Sequence, residues 1–258
     1  MMRACVKRWN GMYKTNGFKD DWYRRWFGTE YLKVYNHRGH SDATALIKLF
    51  LKVIQPYPGQ HFLDVACGNG RHARLLAEQG LYVTGIDLSM PLLMQALINK
   101  QSALQYIRAD MRALPCKAVF DGALSLFTSF GYFLEEADNE LVLGQIARVL
   151  KPNGLYFMDY LNSSFVKRHL VAKSIRRADD MEIREKRWLD KERVYKEITL
   201  IKNRQKKVFY ESVRLYMFDE MVNLLQQAGF VIEESFGNYR GEIFKNNSER
   251  MIFLCRKN

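Results

Sequence analysis

Cysteine is scarce in this chain of 258 residues, and its four cysteines (Cys5, Cys67, Cys116 and Cys255) are scattered. They form neither a C-x-x-C pair nor a cysteine–histidine spacing of the kind a zinc site uses, so a disulfide scaffold is not expected and no metal site is expected. Long apolar runs are lacking too. None approaches the roughly 18 residues a membrane helix needs. The first residues, Met1 to Lys7, lack the apolar stretch of a secretory leader. The expectation is a cytoplasmic protein with no membrane partner. Internal repeats and low-complexity tracts are also missing. What the chain does have is 48% hydrophobic residues, enough for a sizeable core. It also carries a formal net charge of +12, unevenly spread: +7 over residues 1–60, −2 over 61–160, +8 over 161–210 and −1 over 211–258. Basic flanks can attract phosphate-bearing ligands or nucleic acid. They can equally be solvated surface, which charge patterning favours here.

From residue 61 to 162 strands alternate with helices. Phe62–Ala66, Tyr82–Ile86, a segment around Tyr106-Ile107, Phe120–Phe127 and Leu155–Tyr160 read as strands. Arg71–Gln79, a helix capped by Ser89 and reaching about Lys100, and Glu135–Leu150 read as helices, the last broken by Lys151-Pro-Asn-Gly154. Such alternation predicts a parallel sheet covered on both faces. Between 170 and 216 the period becomes two, and Glu182–Leu189, Arg193–Lys202 and Val208–Met217 read as an antiparallel meander turning at 190–192 and 203–205. Phe218–Ala228 is a helix, and Phe230–Ile232 and Arg250–Cys255 close the sheet. Residues 1–55 read as mostly helical, with an aromatic cluster of Trp22, Tyr23, Trp26, Phe27, Tyr31 and Tyr35. The expected organisation is an α/β, Rossmann-like, seven-stranded, mostly parallel sheet with helices on both faces and an inserted antiparallel meander. Its divisions are a helical cap (1–55), a core (56–165 and 217–258) and the insertion (166–216). The face made by Val194, Lys196, Ile198, Leu200, Phe209, Glu211, Val213 and Leu215 is largely apolar. It must bury against the core or against a second subunit, which would make a homodimer.

Chemistry concentrates at the strand ends. Gly68-Asn-Gly70 follows the first strand and opens a helix, where glycines admit close backbone approach and amides stand unpaired. Gly68-x-Gly70-x-x-Ala73, with Asp87 at the second strand end, also fits a dinucleotide fingerprint, so an NAD(P)-dependent oxidoreductase is the rival reading. Two acids oppose it. Asp64, four residues before Gly68, would repel a diphosphate and suits a cation such as the ammonium of a methionine moiety. Asp110, followed by Met111, offers an acceptor for an adenine amino group beside an apolar flank. Three acids at three successive strand ends point to a ligand, since ligands of open α/β sheets collect there.

These segments — Leu63-Asp-Val-Ala-Cys-Gly-Asn-Gly-Arg-His72, Val83-Thr-Gly-Ile-Asp87-Leu-Ser89, Ala109-Asp110-Met111 and Phe120–Phe127 — resemble the ordered motifs of class I S-adenosylmethionine-dependent methyltransferases. The resemblance covers roughly residues 60–162 and implies S-adenosylmethionine as cofactor. It implies that Asp64, Ala66, Gly68 and Gly70 line the methionine part, that Asp87 binds the ribose hydroxyls and that Leu88 touches the adenine. Asp110 and Met111 would hold the adenine edge, and Leu126 would meet the methionine end or the substrate. Leu126-Phe-Thr-Ser-Phe-Gly-Tyr132 and the meander resemble, more narrowly, bacterial sugar N-methyltransferases and their unassigned relatives. There a histidine commonly stands where this chain has Tyr132, a departure that puts a sugar substrate and a base role in doubt. Tyr31-x-x-x-Tyr35-x-x-Arg38 is similar to residues of that group that close over the methionine carboxylate.

The implied reaction is methyl transfer to N or O of a small molecule, in which orientation and desolvation do most of the work. Tyr132 is the candidate catalytic residue if a proton must move; His72, one turn into its helix, reads rather as a surface residue. The fourth strand end lacks the Asn/Asp-Pro-Pro-aromatic run used on exocyclic amines. Cys116 follows Pro115 ahead of that strand and is no cytosine-type nucleophile. Nucleic acid, or an RNA-binding role on a methyltransferase scaffold, is supported by charge alone.

Overall fold

The computed structural model describes residues 18–35, 40–99 and 101–258. Three helices come first: α1 (Trp22–Trp26), α2 (Thr29–Tyr35) and α3 (His40–Ile54). Then follow β1 (His61–Val65), α4 (Arg71–Ala77), β2 (Tyr82–Asp87), α5 (Met90–Ile98), β3 (Leu104–Arg108), β4 (Phe120–Ser125), α6 (Glu136–Val149), β5 (Leu150–Leu161) and α7 (Ser163–His169). Four strands come next, β6 (Lys173–Ala178), β7 (Met181–Leu189), β8 (Arg193–Lys202) and β9 (Gln205–Arg214). The chain ends with α8 (Phe218–Gln227), β10 (Phe230–Phe236) and β11 (Arg250–Lys257).

The main sheet has seven strands in the order β10-β11-β5-β4-β1-β2-β3. Its members run parallel except β11, which is antiparallel to both β5 and β10. Leu46 and Phe50 of α3 and Ala73 and Leu76 of α4 cover one face; Val142 and Ile146 of α6 and Met221 and Leu225 of α8 cover the other. Strand order reverses beside β1, which lies between β4 and β2. The crevice at the carboxyl ends of these three strands is where such a sheet receives a ligand. The expected helix start at Ser89 is present, its side chain accepting from the Leu92 amide.

Three details depart from the sequence reading. β5 begins at Leu150 rather than Leu155, because Leu150 already pairs with Phe120 and the residues between are taken up in a register shift. β4 stops at Ser125 rather than Phe127, because Phe127 (φ 53) and Thr128 (φ 64) turn left-handed. The insertion is a sheet of four strands, not three, in the order β6-β7-β8-β9. Its apolar face packs mainly on the chain's first two helices. Ile183, Ile198 and Leu200 bury against Trp22, Trp26 and Val34 of α1 and α2. No helix among the described residues is long and apolar enough to cross a membrane.

Candidate active site

The loop after β1 is built from left-handed residues: Ala66 (φ 57), Gly68 (φ 58) and Gly70 (φ 71). It is tied to the neighbouring strand end through Asp87. One carboxylate oxygen of Asp87 accepts the Gly68 amide at 2.8 Å and the other accepts the Ser89 amide at 2.7 Å. Burial pushes the Asp87 carboxyl up, opposed by those two amides. Asp64 lies beneath, 2% exposed, and its Oδ2 has no hydrogen-bond partner. Burial raises its carboxyl to about 7, and the charge of Asp87 adds to the rise. A buried carboxylate oxygen without a donor is costly, so Oδ2 wants a cation or an N–H donor, while the Ala73 amide already serves the group. The ammonium of a methionine moiety fits that demand; a dinucleotide's diphosphate does not.

A cavity opens over this loop. It is lined by Asp64, Ala66, Gly68 and Asp87 from the first two strand ends, by Leu88, Asp110 and Met111 along one side, and by Leu126, Tyr31 and Tyr132 on the other. Asp110 is engaged by a partner the sequence did not reveal. Arg112 donates to it from its backbone amide at 3.0 Å, from Nε at 3.1 Å and from Nη2 at 2.8 Å. Burial pulls the Asp110 carboxyl upward, but these bonds and the Arg112 charge outweigh it and leave the group below its ordinary value.

Other residues fall elsewhere. Gly70 does not line the cavity. It begins α4 in a left-handed conformation and packs on Tyr106, whose ring a Cβ would strike. Tyr35 lies one helical turn beyond Tyr31 and is buried under the four-stranded sheet, where its hydroxyl donates to Glu211 at 2.9 Å and meets Lys196. Arg38 lies outside the described residues. His72, expected on the surface, is 7% exposed and lines the cavity. Its ring stacks on Phe127 at 5.0 Å, its Nε2 has no partner, and burial lowers it to about 3, so it is neutral. Tyr132 lines the cavity as expected, but burial, then the neighbouring Tyr31 and Glu211, push its phenol well above its ordinary value. It stays protonated near neutrality, as a hydrogen-bonding group rather than a base. Tyr23 and Phe27 were not read as site residues, yet both line the cavity. The four-residue spacing Tyr23, Phe27, Tyr31 within the aromatic cluster was the available signal.

The family model described as a methyltransferase domain matches residues 62–154. A protein of Geobacillus sp. (strain WCH70) named as a methyltransferase is 26% identical over 244 residues, 90% of this chain and 98% of its own. Two further curated relatives are matched over half their length. Among solved structures, an S-adenosylmethionine-dependent methyltransferase from Clostridium acetobutylicum superposes with a TM-score of 0.77 at 16% identity, covering 89% of this chain and 98% of that one. An amino pentose methyltransferase from Micromonospora echinaspora, solved with S-adenosylmethionine bound, does so with a TM-score of 0.66 at 18% identity, covering 89% and 97%. Residues 62–154 carry a methyltransferase domain, and the fold is that of class I S-adenosylmethionine-dependent methyltransferases. The methyl donor is S-adenosylmethionine, and the oxidoreductase reading is set aside.

The methyltransferase has a second, larger cavity adjoining the first. It lies between α1, α2, α7 and the inner face of the four-stranded sheet. Four residues line both cavities: Phe27, Tyr31, Phe127 and Tyr132. Three of these rings are in contact, with Phe27 5.1 Å from Tyr31 and 5.5 Å from Tyr132, and Trp22 lies 5.4 Å from Tyr132 behind them, while Phe127 stacks on His72. The neck between the cavities is therefore aromatic.

Proposed function

We propose that this methyltransferase moves a methyl group to a nitrogen or oxygen of a small molecule held in the second cavity, and that nitrogen is the preferred acceptor. Bound S-adenosylmethionine supplies an electrophilic methyl group on a sulfonium. In this reading Asp64, Ala66 and Gly68 hold its methionine end, Asp87 and Leu88 its ribose and adenine, and Asp110 and Met111 the adenine edge. Tyr31 and Leu126 face the reacting end, and the helices 22–54 with the sheet 173–214 enclose the acceptor.

The observation that carries the preference is the neck. Two phenylalanines and two tyrosines separate the cavities, and the Tyr132 phenol is held well above its ordinary value by burial. An alcohol must lose its proton as it is methylated, and these four side chains offer nothing to take it. An amine brings its own electron pair and becomes cationic as the N–C bond forms. Aromatic faces attract a cation by roughly 0.5–2 kcal/mol. One structural neighbour is itself an amino pentose methyltransferase. The same reading favours a small molecule over nucleic acid as partner and leaves a homodimer possible; a cytoplasmic setting is part of the proposal.

The test is incubation with S-adenosylmethionine and a panel of small primary and secondary amines, matched alcohols and an RNA. Release of S-adenosylhomocysteine is followed alongside the mass of each acceptor. Methylated amines are expected. Transfer to alcohols but not amines, or to RNA alone, would overturn the reading.

A further inference from the structure

Phe127 stands at the neck in a conformation its side chain disfavours. Its φ of 53 and the φ of 64 at Thr128 put two consecutive non-glycine residues in the left-handed region. Such a pair persists only where surrounding structure over-determines it. Here a buried carboxylate does so. Asp159 of β5 is 1% exposed. Its Oδ2 accepts the Phe127 amide at 2.9 Å and its carbonyl accepts the Thr128 amide at 3.0 Å. Asp159 is in turn fixed from the far edge of the site. Arg250, the first residue of β11, donates from Nε to Asp159 Oδ1 at 2.8 Å and from Nη2 to Thr128 Oγ1 at 2.9 Å. The Tyr239 hydroxyl donates to Asp159 Oδ2 at 3.1 Å.

The clamp delivers one side chain. The Phe127 ring lies against the His72 ring at 5.0 Å, under the Arg71 guanidinium at 4.9 Å and beside Tyr239 at 6.0 Å. His72 and Arg71 line the donor cavity, Tyr239 and Arg250 line the second cavity, and Phe127 lines both. We propose that Asp159, Arg250 and Tyr239 are positioning residues of the methyltransferase: they hold the Phe127–Thr128 turn so that the Phe127 ring stays as the shared wall of the two cavities and backs the donor side. A glycine at the turn would remove the strain without any clamp. The chain instead keeps two bulky residues there and spends a buried ion pair on them. Because Arg250 and Tyr239 face the second cavity, a molecule seated there touches the same residues that shape the donor wall.

The inference rests on the donor cavity described above, and its test is calorimetry with S-adenosylhomocysteine alongside thermal unfolding. Arg250→Met is expected to weaken binding about tenfold and Tyr239→Phe about threefold, within the range of couplings carried through packed networks. Arg250→Lys, which keeps a charge beside Asp159, is expected to recover part of the loss. In a Thr128→Gly background the strain at 128 and the Oγ1 that Arg250 meets are both gone, so Arg250→Met should cost less than in the unaltered protein. A lowered unfolding temperature with unchanged affinity would assign the residues to stability alone and overturn the proposal, as would losses that multiply independently in the Thr128→Gly background. Should Arg250→Met fail to fold, Tyr239→Phe, which deletes one hydroxyl, decides by the same readout. If the unaltered protein does not bind S-adenosylhomocysteine, the donor site falls and the clamp with it. If it binds and every variant binds equally, the clamp alone falls.

Discussion

At the scale of single residues, Asp64 sets the donor site's dependence on pH. Its carboxyl moves from 3.8 to about 7 on folding, chiefly through burial. Between those values the unfolded chain has released the proton and the folded chain still holds it. Stability therefore falls as pH rises through that window, by a few kcal/mol at most, and the loss is complete above about 7. A bound ammonium favours the ionised form and works in the opposite sense. S-adenosylhomocysteine is expected to bind about tenfold more weakly at pH 6 than at pH 8, following the ionised fraction of one carboxyl titrating near 7. Asp64→Asn should flatten that profile, weaken binding at pH 8, and raise the unfolding temperature of the ligand-free protein there. A pH-independent affinity in the unaltered protein would dismiss Asp64 as the group that meets the cation. The position of Asp64 before Gly68 was legible, because a carboxylate there is chemically wrong for a diphosphate. Its burial was not, nor was the difference between Gly68, which lines the cavity, and Gly70, which serves the packing of Tyr106. Both are glycines in one loop, and only the third dimension separates a ligand contact from a helix start.

At the scale of elements, the N-terminal helices and the four-stranded sheet are joined by a buried polar seam. Trp26 Nε1 of α1 donates to Glu211 of β9 at 2.5 Å, the Tyr35 hydroxyl of α2 to the same oxygen at 2.9 Å, and Lys196 of β8 bridges Glu211 at 3.5 Å and Glu185 of β7 at 2.9 Å. Removing Glu211 leaves Trp26 Nε1 without its acceptor and Lys196 with Glu185 alone, at a cost of up to about 3–5 kcal/mol. Glu211→Ala is therefore expected to lower the unfolding temperature and to speed amide exchange in α1 and α2, while exchange in β1, β2 and β4 stays slow. Uniform acceleration across the main sheet would show that the seam does not act locally. The period-two pattern of β7 and β8 was legible because apolar residues alternate there. β6 was not, since it is Lys173-Ser-Ile-Arg-Arg-Ala178 and its one large apolar residue, Ile175, is 68% exposed. β9 begins at Gln205, before the first apolar residue, because Asn203 and Arg204 close a two-residue hairpin with φ 49 and 64. Asparagine announces such a turn; arginine does not.

At the scale of the whole molecule, the methyltransferase core occupies the middle of the chain, and what closes over it comes from either side. Pairs such as Arg184 with Glu182 and Lys202 with Asp180 are internal to residues 161–210 and leave its +8 unchanged, whereas Lys207 pairs outward with Glu30 of α2 and Lys196 with Glu211. The basic flank is thus partly the glue between insertion and helices, which charge counting along the sequence could not reveal. The donor cavity in turn draws its walls from both units, with Tyr23, Phe27 and Tyr31 facing Asp64, Asp87 and Asp110. Ligand binding should then stiffen the cover as well as the loop after β1. At one hundred times its Kd, S-adenosylhomocysteine adds about 2.7 kcal/mol to stability, a rise of about 5–10 °C in unfolding temperature for a chain of this size. Amide exchange locates that gain. Protection is expected to increase in residues 22–35 together with 62–70 and 86–89, while β6, remote from the donor cavity walls, keeps its exchange rate. Protection confined to the loop after β1 would mean that the donor site is complete without the N-terminal helices. Their aromatic residues would then belong to the acceptor cavity alone.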